Sequence, residues 1–357
     1  MSAKLKFGVV GCGRIAEKHL AALHHESVQA KLVAVTDILA DKARAKADKY
    51  QTPWYTDYHE MLRRHPDIEV IDVLTPTGYH ARHVVDLARY GRHIVVEKPM
   101  ALTIEDCDAM IQACEAHHGR LFVVKQNRFN RVVMAARAAW DAGRFGKPVL
   151  GTVRIRWRRD QSYYNQADWR GTWALDGGVM SQQASHHIDL LQWFMGPIER
   201  LQCLTATRLM AIEAEDTAMA TMKFTSGALG AFEATVATRP KDLEGSLSIL
   251  GEHGSVVLGG HAVNNIDTWR FSEERPEDAE IKKTFSQDVP NVYGHGHIPY
   301  LASVVKSIRE NLPAAVDGRE GRKNIAILTA LYESAARGGE PVAPGCPIVC
   351  SKLGKSG

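Results

Sequence analysis

The chain has 357 residues, 45% apolar and 24% charged, with a formal net charge of +3 when histidine is neutral. At roughly 100–200 residues per domain this length predicts two domains, and the small charge excess argues against a broad surface for nucleic acid or membrane lipid. No apolar run approaches the roughly 20 residues of a membrane helix, and "MSAKLKFGVV" enters a strand without a signal-type apolar core, so a cytoplasmic protein is expected.

In chain order, "KFGVVG" reads as a strand ending at Gly11, "IAEKHLAALHH" as a helix and "KLVAVTD" as a strand ending in an acid. "ADKARAKADKY" is helical, "VIDVLTPT" a strand with its loop, and "YHARHVVDLARYG" a helix closed by Gly91. The strand "HIVVEKP" follows, then a helix from the N-cap Thr103 to the stop Gly119, then the strand "LFVVKQNRF". Short apolar runs alternating with helices predict βαβ units on a parallel sheet. After about residue 125 the pattern changes. A helix, "RVVMAARAAWDAGRFG", leads into longer strand runs separated by turn signals such as "TSG" and "EHG", which predicts hairpins; the end of the chain is helical. The expected organisation is an α/β Rossmann dinucleotide-binding domain over residues 1–124, an α+β domain with a large open, mostly antiparallel sheet over 125–345, and a tail over 346–357.

Gly11-Cys12-Gly13-Arg14-Ile15-Ala16 is a G-x-G-x-x-A between a strand and a helix. Gly11 permits the tight turn, Gly13 lets backbone approach a pyrophosphate, and Ala16 lets the helix pack close to the strand. The second strand ends in Asp37, where an acid holds the ribose hydroxyls. Ile38 rather than Arg follows it, which favours NAD over NADP. "TPTGYH" (Thr75 to His80) and "EKP" (Glu97, Lys98, Pro99) also end strand runs, on the sheet edge where ligands bind, and Lys98 is expected to project toward the cofactor crevice.

Further on, "SQQASHHIDLL" places two histidines together. On one continuous helix, Ala184, Ile188, Leu191 and Met195 share an apolar stripe, and Gln182, Ser185, His186, Asp189 and Trp193 share the opposite one. That puts His186 one turn from Gln182 on a polar face and makes His187 the packed, structural histidine. In "VRIRWRR", Arg154, Arg156 and Arg158 share one strand face. Such a row suits a diphosphate or carboxylate, and equally a charged sheet face at a subunit interface. "HGH" (His295, His297) has a spacing that can place two imidazoles on a metal, but no third ligand is specified, so no metal is expected. The six cysteines form no C-x-x-C pair, and reduced thiols are expected, including Cys346 and Cys350 in a loose tail.

"GVVGCGRIA", "TPTGYH", "EKP" and "GGVMSQQASHHIDLL" together resemble the glucose–fructose oxidoreductase / inositol dehydrogenase family over essentially the whole chain. The resemblance implies an NAD-dependent dehydrogenase in which Lys98 and His186 line the substrate pocket and Asp189 is the final acid of the histidine helix. Many members carry an aspartate where this chain has Gln182; a glutamine cannot raise the histidine's proton affinity by charge, which shifts the base toward Lys98, alone or with His186. "KQNRFN" and "ADWRGTWALDGG" resemble the branch that oxidises UDP-N-acetylglucosaminuronic acid at C3 during assembly of bacterial surface polysaccharide such as O-antigen. The expected cofactor contacts are Gly11, Gly13, Arg14, Ile15, Asp37, Thr75, Thr77, His80, Glu97, Lys98 and Gln126, with Trp169 and Arg170 implied by that resemblance near the nicotinamide end. The same resemblance implies nucleotide-sugar contacts from Lys98, Arg128, Arg158, Tyr163, Asn165, Gln182 and His186. Oxidation of another sugar or of inositol stays open, as does a non-catalytic NAD-binding sensor, although retention of both Lys98 and His186 favours turnover. Whether NADH leaves or is recycled in place by a keto acid such as 2-oxoglutarate also stays open. The exposed face of a large sheet needs covering, so a homo-oligomer, dimer or tetramer, is expected.

Overall fold

Strands buried on both faces read as near-continuous apolar runs, and the first third of the chain builds such a sheet. The structure, a computed structural model, describes residues 3–289 and 292–355. It divides into two units: the chain through Gln126 together with His297–Lys323, and Asn127–Gly296 together with the chain from Asn324 onward.

In the first unit, β1 (Leu5–Val10), β2 (Ala30–Thr36), β3 (Trp54–Tyr55), β4 (Val70–Val73), β5 (His93–Val96) and β6 (Leu121–Val123) form one six-stranded sheet in the order β3-β2-β1-β4-β5-β6. Every neighbouring pair is parallel. The strand order reverses between β1 and β4, and the crevice beyond the carboxyl ends there is where such sheets bind ligands. Thr103 caps the helix Ile104–Ala116 by accepting the Asp106 N–H at 3.1 Å. The expected boundary at 124 falls two residues short of the break at Gln126, and His297–Lys323 returns to this unit. The helix His297–Arg309 packs on the helix Ala16–Leu23. Arg120 donates to the Ser307 carbonyl and hydroxyl and to the Leu312 carbonyl. Local periodicity identifies that helix but carries no information about so distant a partner.

The second unit holds β7 (Pro148–Arg156), β8 (Ile198–Ala206), β9 (Thr217–Phe224), β10 (Leu229–Thr235), β11 (Glu244–Gly251), β12 (Gly254–Gly259) and β13 (Asn265–Phe271). They form a seven-stranded sheet in the order β13-β12-β11-β7-β10-β9-β8. β7 and β10 run parallel and the other neighbours antiparallel. The helix Ser185–Met195 covers one face over β7 and β11. Gly151 makes the close approach possible, because a Cβ there would lie 2.6 Å from Met195 Cγ and 2.7 Å from Leu191 Cδ1. Val153 and Ile155 are buried, while the cross-strand row Leu204–Met219–Glu233–Arg154 runs along the opposite face. Leu204 and Met219 are 63% and 61% exposed.

The tail is docked in this unit. The buried Glu333 carboxylate accepts backbone N–H groups of Val349, Cys350 and Ser351, Leu353 is buried, and the Gly354 N–H donates to the Trp173 carbonyl at 2.9 Å. The expected loose tail is therefore corrected: a buried carboxylate needs donors, and the tail backbone supplies them. Among the described residues, no helix is long and apolar enough to cross a membrane.

Candidate active site

The glycine loop closes β1 with Gly11 at φ 102°. A Cβ on Gly11 would come within 2.8 Å of the Leu74 backbone, whereas one on Gly13 would meet no atom within 4 Å. Gly11 is thus required by the fold, and Gly13 presents bare backbone on an open side, as a pyrophosphate needs. The helix that follows has no side-chain cap at Ile15, so its first N–H groups stay available to an anion. Asp37, just past β2, accepts the Cys12 N–H at 2.8 Å through Oδ2 and the Leu39 N–H at 2.9 Å through Oδ1. It fixes the loop and retains a further lone pair on each oxygen for ribose hydroxyls. Arg14 is exposed and Ile15 half-buried beside it. These residues fit a dinucleotide.

Thr75 bonds through its hydroxyl to His83 Nδ1 at 2.9 Å, and Thr77 is buried. The His80 ring is buried and touches the Pro99 carbonyl at 2.9 Å and the Thr75 carbonyl at 2.8 Å. Burial lowers its pKa. As a neutral ring it donates to one of these carbonyls and only packs against the other, lying between the Thr75 and Pro99 segments. Lys98 follows β5, half-buried. Its N–H donates to Oε2 of its neighbour Glu97 at 2.8 Å. Glu97 is buried, and although burial opposes its charge, the His19 and His297 imidazoles hold it well below the usual carboxylate range. Gln126, the last residue of the unit, is buried with an Oε1 that has no hydrogen-bond partner among the described residues.

In the second unit the histidine segment is not one helix. A short helical turn, Val179–Gln182, ends at Gln183, and a new helix runs Ser185–Met195. The Ala184 carbonyl starts it, accepting the His187 and Ile188 N–H groups at 2.9 and 3.0 Å. The continuous helix expected from periodicity is corrected here, and with it the placing of Gln182 one turn before His186. A glycine pair precedes the first turn. Gly177 has φ 77°, and a Cβ on Gly178 would sit 2.1 Å from the Glu215 carbonyl oxygen. Glu215 is buried and accepts the Met180 N–H and the Tyr332 hydroxyl, each at 2.9 Å. Burial raises its carboxyl to about 7.

His186 sits in the first turn of the new helix, 7% exposed, and His187 is fully buried. The His187 ring packs edge-on against Trp157 with centroids 5.7 Å apart. Burial pulls its pKa down to about 3, so it stays neutral. Asp189 takes the Arg128 Nε and Nη2 at 2.7 and 2.8 Å, and the Arg128 guanidinium lies 4.8 Å from the centre of the Trp193 ring. Two of the nitrogens with which Arg128 was expected to meet substrate are therefore committed.

Two arginines of the row, on β7, are paired with acids of their own sheet. Arg156 forks onto Glu233 at 2.5 and 2.9 Å and reaches Glu244 at 3.4 Å, and Arg154 lies 3.9 Å from Glu244. Arg158 is exposed and forks onto Asp160. Asn165 is exposed and accepts from Gln161 at 3.0 Å. By contrast Tyr163 anchors a cluster: the Arg170 guanidinium is 4.3 Å and the Arg159 guanidinium 5.5 Å from its ring centre. Arg170 also stacks on Trp169 at 4.9 Å, and Gln183 Nε2 is 3.5 Å from the Tyr163 hydroxyl. Trp157 Nε1, Tyr164 OH and Arg170 Nε are buried donors with no hydrogen-bond partner among the described residues. Polar groups left unpaired inside a fold are what a polar ligand would satisfy.

Sequence reading missed His19, Asp72, Arg159 and Glu215. His19 falls on the apolar stripe Ala16, Leu20, Leu23, and Asp72 lies inside an apolar strand, so a polar residue in a core pattern was the available signal. His19, Glu97 and His297 bring one ligand atom each within 4.8 Å of one another. Both His19 nitrogens are already bonded to carboxylates, and His295 is not in the group, so the spacing of "HGH" does not itself build a metal site.

Residues 5–125 match the family model described as an oxidoreductase family with NAD-binding Rossmann fold, and residues 133–257 match the GFO/IDH/MocA C-terminal domain. The WlbA dehydrogenase of Bordetella pertussis, solved with NADH and UDP-GlcNAcA, is 40% identical, covers 96% of this chain and 98% of its own, and superposes with a TM-score of 0.90. The WlbA dehydrogenase of Chromobacterium violaceum, solved with the same two ligands, is 40% identical over 97% of this chain and 98% of its own, also with a TM-score of 0.90. The myo-inositol 2-dehydrogenase of Thermotoga maritima is 24% identical over 92% of this chain and 96% of its own length.

Proposed function

The chain belongs to the GFO/IDH/MocA family of NAD-dependent oxidoreductases, and from that premise we propose that it oxidises the C3 hydroxyl of UDP-N-acetylglucosaminuronic acid. The observation that carries this reading is likeness along nearly the whole chain to the two WlbA dehydrogenases, whose structures hold that nucleotide sugar. Tyr163 with Arg159 supports it from this chain's own residues, because a cation beside an aromatic ring suits an anionic sugar nucleotide.

NAD supplies the hydride acceptor. Lys98, as its neutral amine, takes the proton of the C3 hydroxyl while the C3–H bond gives up its electron pair as hydride, leaving a 3-keto sugar and NADH. His186 holds the same hydroxyl and shares the proton. Gly11, Gly13 and Asp37 orient the dinucleotide. Trp169 and Arg170 serve the cofactor, and Tyr163 and Gln182 the sugar. A 3-keto uronic acid still carried on UDP suits an aminotransferase, and the reading is of a step in surface-polysaccharide synthesis.

The test follows nicotinamide absorbance with NAD and UDP-N-acetylglucosaminuronic acid, in parallel with UDP-N-acetylglucosamine, myo-inositol and added 2-oxoglutarate. NADH formed with the uronic acid, or 3-keto sugar formed only when the keto acid is present, establishes the reaction. Turnover of myo-inositol alone, as the Thermotoga relative's name suggests, or of no substrate at all, overturns it.

A further inference from the structure

His19 lies one turn beyond the glycine loop, on the helix Ala16–Leu23, and is completely buried. Its Nδ1 meets Asp72 Oδ2 of β4 at 2.7 Å, and its Nε2 meets Glu97 Oε1, just past β5, at 3.0 Å. A neutral imidazole has one N–H to give; only the imidazolium donates to two carboxylates at once. Glu97 then uses its other oxygen to accept the Lys98 backbone N–H at 2.8 Å. One ring therefore joins the helix of the glycine loop, the central strand and the lysine turn.

Among the described residues, few ionisable groups face this bridge. Beside Asp72 and Glu97, His297 stands edge-on to His19 with centroids 5.2 Å apart and Nε2 3.9 Å from Glu97 Oε1. Tyr300, on the same helix as His297, is buried and feels the charge of both Asp72 and Glu97. Lys98 on the turn itself acts on Glu97, and Lys18 acts on His297. Burial opposes a charge on His19, and the two carboxylates restore it, raising its pKa to about 10. Two anions around one cation in a dry interior hold each other rigidly, because breaking any contact strands a buried charge.

We propose that His19 is a positioning residue for Lys98: clamped between Asp72 and Glu97, it locks the Glu97–Lys98 turn to the helix of the dinucleotide loop, so that the lysine and the cofactor keep one register. The inference rests on the reading of Lys98 as the base. It requires that loosening the bridge change the reactivity of the Lys98 amine without unfolding the protein.

The experiment is trace labelling of the NAD-loaded full chain with acetic anhydride across pH 7–11, read by peptide mass spectrometry at Lys98 and at the distant Lys283. In His19→Gln, the Lys98 labelling rate should shift at least about threefold while Lys283 does not move. Should that protein fail to fold, Asp72→Asn carries the same measurement. Folded variant with Lys98 labelling unchanged overturns the proposal. A kinetic arm separates it from the base assignment. If Lys98→Ala leaves a reduced but measurable turnover, His19→Gln should lower kcat about 10- to 100-fold with KM little changed, and the double variant should be no slower than Lys98→Ala alone. Full additivity overturns the positioning role. Full activity in Lys98→Ala overturns the base assignment instead, while the labelling shift still decides the coupling.

Discussion

Asp189 holds Arg128 by a two-pronged ion pair at 2.7 and 2.8 Å, with both side chains almost wholly buried. The acid that closes the H-x-x-D pattern thus reaches into the segment just after the dinucleotide domain and commits an arginine that its sequence context assigned to substrate. Removing one member of a buried pair leaves the other charge uncompensated, at a cost of about 3–5 kcal/mol. Arg128→Leu and Asp189→Leu should each lower stability by that order in urea unfolding. The double variant should lose clearly less than the sum, since neither charge then remains; additive losses would show the two side chains to be independent.

Gly11 and Gly13 should fail in different ways. Gly11→Ala puts a Cβ against the Leu74 backbone at a positive φ and should cost about 1–3 kcal/mol of stability. Gly13→Val meets no protein atom at its Cβ, so the melting temperature should stay near wild type. Its NAD affinity should fall by tenfold or more, about 1.4 kcal/mol. Calorimetry of both, unfolding and titration, checks the contrast.

His187 gives the fold an acid limit. In the unfolded chain it takes a proton near pH 6.5, whereas in the folded chain burial delays this to about 3. Its native pKa is depressed, so between those values the unfolded state binds the extra proton and stability falls as pH falls, by about 1.4 kcal/mol per unit. From pH 7 to pH 5 the wild type should therefore lose about 2 kcal/mol more than His187→Leu. Equal losses, measured by urea unfolding, would mean the ring titrates in place.

The tail should be released by a single change. Glu333 gathers three consecutive tail N–H groups. Its carboxyl is held near 2: burial opposes the charge, and the N–H groups of Ser351 and Cys350 and the Arg337 guanidinium outweigh it. Glu333→Ala should expose Lys352 to trypsin, with cleavage many-fold faster than in wild type; unchanged cleavage would mean that Leu353 burial alone secures the tail.

Much of this molecule was legible in one dimension because its signals are local. A strand, a glycine turn and an acid at the next strand end specify the dinucleotide domain, since turn sterics and sheet burial act within a few residues. The period-two alternation of β7 likewise predicted that Arg154 and Arg156 share a face, while Arg158 lies past the end of the strand. It could not say what that face meets: Glu233 and Glu244, the partners of Arg154 and Arg156, come from strands aligned only by the sheet. The same limit explains the broken histidine helix. Its apolar stripe favours one continuous run, and nothing in that periodicity marks the break after Gln182 that the structure shows. It explains His19 as well, whose two carboxylates are 53 and 78 residues away. The sequence by itself determined the element types of the dinucleotide domain and its cofactor loop, both governed by sterics and periodicity over short spans. The tertiary structure decided which charges are spent on one another, because a buried ion's partner is chosen by proximity in space and by the cost of leaving it unpaired.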